Sequence, residues 1–160
     1  MRVSFLVALF MLIVRPLNAL TPAQLQRITF DQHIGQALSP DLSFRDSAGR
    51  RVKLADFFGH KPLLLVLGYY RCPMLCTLIN DGMIASLQEL RMSAGNEFDI
   101  LNVSIDPSES PDIAAGKKIE YLRRYGRPAA EKGWHFLVGD HIATAQMAAE
   151  AGFRFAYDPE

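Results

Sequence analysis

Two cysteines make up the whole thiol inventory of this 160-residue chain, and they fall close together in Cys72-Pro73-Met74-Leu75-Cys76. A thiolate, not a thiol, is the nucleophile and the metal ligand, and it is favoured at a helix start and beside a cation such as Arg71. The i, i+4 spacing on a helix would set both sulfurs on one face, and Pro73 is tolerated in a first helical turn. Two convergent thiolates suit Cu(I), whereas Zn(II) normally needs four ligands, and no second Cys or His cluster has metal-site spacing. The same pair can close as a reversible disulfide. An inert staple is the third reading, but closing so short a loop returns only about 2 kcal/mol by loop entropy.

Nitrogen ligands are scarce. His33, His60, His135 and His141 are scattered along the chain, and a lone histidine is more often a surface or core residue than a ligand. His135 alternates within an expected strand and His141 opens an expected helix. Met74 and Met83 carry soft sulfur, although helix methionines usually fill the core. Tyr69 and Tyr70 read as packing residues beside the cysteines.

The pair sits where a strand passes into a helix. Pro62 opens the uncharged run Leu63-Leu64-Leu65-Val66-Leu67-Gly68-Tyr69-Tyr70, the pattern of a central strand buried on both faces of a parallel sheet. Beyond Cys76, Ile79, Met83, Leu87 and Leu90 recur at helical spacing. After Ser93-Ala94-Gly95-Asn96, the segment Phe98 to Ile105 reads as the next strand, closed by Asp106-Pro107. Functional groups of α/β sheets collect at the carboxyl ends of such strands, where this sequence has its cysteines.

The remaining elements follow similar logic. Leu42 and Phe44, the turn Asp46-Ser47-Ala48-Gly49, and Val52 and Leu54 predict a β-hairpin. Ser110 and Pro111 open a helix with Ala115, Ile119, Leu122 and Tyr125 as its apolar stripe, ending before Gly126 and Pro128. Trp134 to Val138 is a short strand. Asp140 caps a helix over residues 141–151, and Gly152 has the place of a left-handed cap. Phe153 to Tyr157 begins another alternating segment, and the chain stops at Asp158-Pro159-Glu160.

Composition narrows the function classes. The chain is 49% hydrophobic, with 17 basic and 17 acidic residues, too apolar for disorder and without the charge that would draw it to nucleic acid. Residues 1–19 read as a secretory signal peptide: Arg2, an uncharged run from residue 3 to 14, then Arg15 and a small Ala19 before Leu20. Leu17 is bulky for the −3 position, so retention as an uncleaved membrane anchor stands beside cleavage after Ala19. Cleavage would leave 15 basic against 17 acidic residues in the body. Residues 20–40 form a lead-in segment without clear periodicity, and 41–160 form the domain. Export matters because thiols outside the cytosol can be oxidised and stay oxidised.

Taken together, Gly68-Tyr69-Tyr70-Arg71-Cys72-Pro73-Met74-Leu75-Cys76, the preceding hairpin, Ile100 to Asp106-Pro107, the Pro111 helix and Gly133-Trp134-His135-Phe136-Leu137 resemble the Sco/SenC family of copper-binding proteins. The resemblance implies an α/β thioredoxin-like fold with an N-terminal β-hairpin, lacking the final hairpin and helix. It implies copper as the metal, Cys72 and Cys76 as its two sulfur ligands, and a third ligand, a histidine, beyond Glu160. The implied activity is an exported copper metallochaperone for Cu(A) maturation of cytochrome c oxidase. Its implied partner is the oxidase subunit carrying Cu(A) or another copper chaperone. It also implies a periplasmic location, free or anchored to the inner membrane. On this reading the chain is C-terminally truncated, with an exposed strand edge. Arg71 replaces the small or polar residue that many members carry before the first cysteine.

The alternative is a thiol-disulfide oxidoreductase that uses Cys72 and Cys76 as a redox-active disulfide, one thiolate attacking a partner's disulfide and the other resolving the mixed intermediate. A peroxidase on the same fold ranks last, since Thr77 follows the motif instead of preceding it.

Overall fold

The computed structural model describes residues 28–72 and 75–156, with Leu75 and Cys76 through their backbone. The expected signal segment, Pro73, Met74 and the last residues from Tyr157 lie outside the described residues. A hairpin comes first: β2 (Ser43–Asp46) pairs antiparallel with β3 (Arg51–Lys53), following the short strand β1 (Thr29–Phe30). The expected turn forms, with the Asp46 carboxylate accepting from the Ala48 and Arg50 backbone N–H groups at 2.9 Å each. Leu42 and Phe44 are buried, and Leu54, opening a 3-10 turn (Leu54–Phe57), is fully so.

The strand-helix-strand unit follows as β4 (Leu63–Gly68), α1 (Leu75–Glu89) and β5 (Asp99–Ser104), with β4 and β5 parallel from Leu63↔Asp99 to Gly68↔Ser104. A second crossover through α2 (Pro111–Tyr125) and the single turn α3 (Ala130–Gly133) leads to β6 (Trp134–Val138), parallel to β5. Pro111 stands at the start of α2, and Gly126 closes it in the left-handed conformation at φ 73°. The sheet order is β3-β2-β6-β5-β4.

Alternation along β5 and β6 separates two cores. Ile100, Trp134, Phe136 and Val138 meet Ile84 and Leu87 of α1 and Ala114, Tyr121 and Tyr125 of α2. On the opposite face Leu101, Val103 and Leu137 meet Leu42, Phe44 and Leu54, together with Ala143 and Met147 of α4 (His141–Glu150). Each fully buried side chain of this kind contributes about 1.5–3 kcal/mol in transfer free energy.

Three expectations need correcting. β4 is not central: among the described residues it forms the edge of the sheet, none of its side chains is fully buried, and Leu64 is 38% exposed. Its side chains still alternate between the two cores, Val66 toward one and Leu63, Leu65 and Leu67 toward the other, but with no strand beyond β4 among the described residues their outer flank is left uncovered. The α1 stripe is also rotated. Asn80, Ile84 and Leu87 are buried, whereas Ile79 is 65% exposed; at about 100° per residue, Ile79 sits roughly 140° around the helix from Ile84. In α2 the buried residues are Ala114, Tyr121 and Tyr125, and Ile119 faces out.

The lead-in segment is fastened to the last elements. β1 pairs antiparallel with β7 (Phe153–Arg154), and Ser39 donates to Glu150 from its backbone at 2.7 Å and its hydroxyl at 2.5 Å. Asp140 caps α4 as expected, accepting from Ala143 N–H at 2.8 Å. Gly152 is required where these parts meet. Its φ is +74°, and a Cβ there would stand 1.8 Å from the Asp31 carbonyl oxygen, which accepts no such approach without backbone movement. Gly152→Ala should therefore destabilise the domain by more than about 1 kcal/mol, read as a lower thermal midpoint, whereas Gly49→Ala, in open space, should cost less.

Candidate functional site

Cys72 ends the connection that leaves β4. The described helix begins at Leu75 and carries Cys76, and Cys72 lies on the strand side of it. The expected i, i+4 pairing of the two sulfurs runs through residues 73–74, which lie outside the described residues. The Cys72 side chain is 7% exposed, and its backbone carbonyl accepts from the Thr77 hydroxyl at 3.4 Å. Both cysteines are thus placed at the carboxyl end of β4, as the chain order requires.

The backbone entering this turn is held with care. The β4–β5 pairing is extended by Ile105 N–H donating to the Gly68 carbonyl at 2.8 Å. Past it, the Glu109 carboxylate accepts from Tyr70 N–H at 2.8 Å and from Arg71 N–H at 2.6 Å. The Ser104 hydroxyl adds a third bond to Glu109 at 2.5 Å. Glu109 is 5% exposed, and a carboxylate so buried is tolerated where donors replace its water.

Tyr70 is fixed at its other end as well. Its hydroxyl, 6% of the residue being exposed, shares its hydrogen between the Asn102 carbonyl at 3.0 Å and the Leu137 carbonyl at 2.8 Å. Burial first, and the Glu109 charge second, push the Tyr70 phenol well above its ordinary value, so it stays a donor. It is a packing residue as expected, and a bracket as well. Tyr69, by contrast, is 40% exposed.

The histidines are not gathered at the cysteines. His135 pairs with Leu101, which in turn pairs with Leu65, so it sits three strand positions before Gly68, about 10 Å back from the strand end. It packs on Phe57 with ring centroids 4.8 Å apart. His33 bonds the Glu150 carbonyl at 2.9 Å, and His60 and His141 are exposed. Among the described residues, no group of three or more His, Cys, Asp or Glu side chains could hold a metal ion. A cleft of about 450 Å³ bounded by Arg45, Arg51, Pro107, Glu109 and Asp140 shares Glu109 with the site but is not lined by Cys72.

Glu109 is the residue that sequence reasoning missed. Its one signal was position, in the loop leaving β5 beside the exit of β4.

The fold and the cysteine-bearing strand exit define a thioredoxin-like α/β domain. Residues 31–160 match the SCO1/SenC family model; the chain belongs to this family. Among solved structures it is similar to an electron-transfer candidate from Aquifex aeolicus VF5, at 23% identity and a TM-score of 0.62, covering 76% of this chain and 74% of that one. Yeast Sco1 with copper bound matches at 22% identity and a TM-score of 0.56, over 77% of this chain and 63% of that one. Arabidopsis thaliana ScoI with copper bound matches at 20% identity and a TM-score of 0.54, over 72% and 66%. No curated protein matches the chain.

His135 provides a pH handle away from the cysteines. Burial first, then the Lys118 charge, hold its pKa below the ordinary 6.5. The unfolded chain then binds more protons than the folded one in that window, so stability is full above the unfolded pKa and is lost as pH falls below it. Between about pH 7 and pH 5 the thermal midpoint of the wild type should fall more steeply than that of His135→Gln. Parallel curves would show that His135 pays no burial penalty.

Proposed function

We propose that this chain is an exported copper-handling protein in which Cys72 and Cys76 together hold Cu(I) as cargo and pass it to a partner. The observation that carries the reading is the placement of Cys72, buried at the exit of β4 and four residues before Cys76 in the helix that follows, in a chain of the SCO1/SenC family. The copper-bound state of yeast Sco1 and Arabidopsis ScoI supports the choice of metal.

The chemistry is ligand exchange. Both thiols lose their protons on binding, two soft sulfurs favour Cu(I), and a partner's sulfur displaces first one cysteine and then the other without a change in copper's oxidation state. The recipient is the cytochrome c oxidase subunit that carries Cu(A), or another copper chaperone. Residues 1–19 direct export, either cleaved or kept as an anchor at the inner membrane facing the periplasm. Among the described residues no helix is long and apolar enough to cross a membrane.

The reduced exported body should bind one copper per chain and keep it against a competing chelator. A Cys72→Ser/Cys76→Ser variant should lose at least about a hundredfold in affinity, since its hydroxyls are poor ligands for a soft ion. Equal binding by the variant would contradict the proposal. Failure to retain copper, combined with metal-free turnover of a partner disulfide, would instead assign the pair to thiol-disulfide exchange.

A further inference from the structure

We propose that Glu109 is a positioning residue for the cysteine pair. It acts through the backbone, fixing where Cys72 stands relative to Cys76. The inference rests on the reading that the two sulfurs work together.

Three observations support it. The β4–β5 pairing is extended by Ile105 N–H donating to the Gly68 carbonyl, and the last two backbone donors before the cysteine, the N–H groups of Tyr70 and Arg71, go to the two oxygens of one carboxylate at 2.8 and 2.6 Å. That carboxylate is 5% exposed and is itself oriented by the Ser104 hydroxyl at 2.5 Å. Tyr70, whose N–H it receives, is pinned at its far end by the bonds to the Asn102 and Leu137 carbonyls. Chain, carboxylate and phenol form a closed brace that ends one residue before Cys72.

A carboxylate is the group this geometry calls for. Both of its oxygens accept, and bonds to an ionised acceptor are roughly twice as strong as neutral ones. Glutamine fills the same volume but would turn its NH2 toward a backbone N–H, so one of the two turn bonds is lost. The turn then gains freedom, and the two sulfurs spend less time within reach of each other. Chelation of Cu(I) and closure of the disulfide both depend on that juxtaposition, in the sense of effective molarity.

The test compares wild type, Glu109→Gln and Met147→Ala, the last a cavity in the core on the opposite face of the sheet. Two quantities are measured: Cu(I) affinity by chelator competition, and the metal-free equilibrium of the reduced pair with oxidised glutathione, giving the protein disulfide and two reduced glutathiones. Glu109→Gln should weaken copper binding about tenfold and shift the equilibrium about tenfold toward the dithiol, a potential about 30 mV more oxidising. Met147→Ala should lower the thermal midpoint and move neither. Ser104→Ala, which removes the third bond to the carboxylate together with the Asp106 N–H bond to the same hydroxyl and keeps both turn bonds, should shift both by about two- to threefold in the same direction, and decides the matter if Glu109→Gln does not fold. Values for the Glu109 and Ser104 variants within twofold of wild type, or equal shifts in Met147→Ala, would overturn the inference. A wild type that oxidises normally but takes up no copper would sink the copper reading and leave this test intact; a pair that does neither would overturn both.

Discussion

A buried carboxylate has to be met by donors, and much of this domain's functional end is arranged to meet one. Glu109 receives two backbone N–H groups from the exit of β4 and one hydroxyl from the end of β5. Those donors come together because β4 and β5 run parallel and in register as far as Gly68 and Ser104. A shift of one residue would turn each side chain of β4 to the opposite face and take Tyr70 from its carbonyl partners. The register of a parallel pair and the place of a cysteine are therefore one constraint.

The polar groups beneath the strand ends form a single chain of contacts. Trp134 Nε1 donates to the Asn102 side chain at 2.7 Å, the Asn102 carbonyl receives the Tyr70 hydroxyl, and Tyr70 N–H leads to Glu109 and Ser104. Asn102, Ser104 and Glu109 are all buried, and buried polar groups specify a unique arrangement when each is satisfied. The aromatic side chains Tyr121, Tyr125 and Phe136 pack around Trp134 with centroids 5.6–6.0 Å apart, shielding this network from water. Rigid elements thus hold the strand exit from below, while Leu78 and Ile79 of α1 face outward.

Much of this was legible in the sequence because local signals agreed with one another. The hairpin turn at Asp46 to Gly49, the Pro111 start and Gly126 end of α2, and the Asp140 cap each depend on a few neighbouring residues, and each is found where the residues put it. The order of elements around Cys72 and Cys76 was enough to suggest the family. What the sequence concealed was long-range. An apolar run such as Leu63 to Tyr70 does not say how many strands flank it, and β4 has one partner among the described residues. Ile79 and Ile119 are apolar, but the phase of each helix is set by what its neighbours bury. β1 has two residues and no period to read. Glu109, in a loop of Asp, Pro and Ser, has the look of a solvated side chain, and its burial is created by the β4–β5 pairing.

The central claim is that the sulfurs at the strand exit hold the metal, and X-ray absorption at the copper edge of the reduced, Cu(I)-loaded chain tests it most directly. The account predicts two sulfur scatterers per copper, both lost in Cys72→Ser/Cys76→Ser. A copper coordinated by nitrogen and oxygen alone in the wild type, or an unchanged spectrum in the double variant, would contradict it.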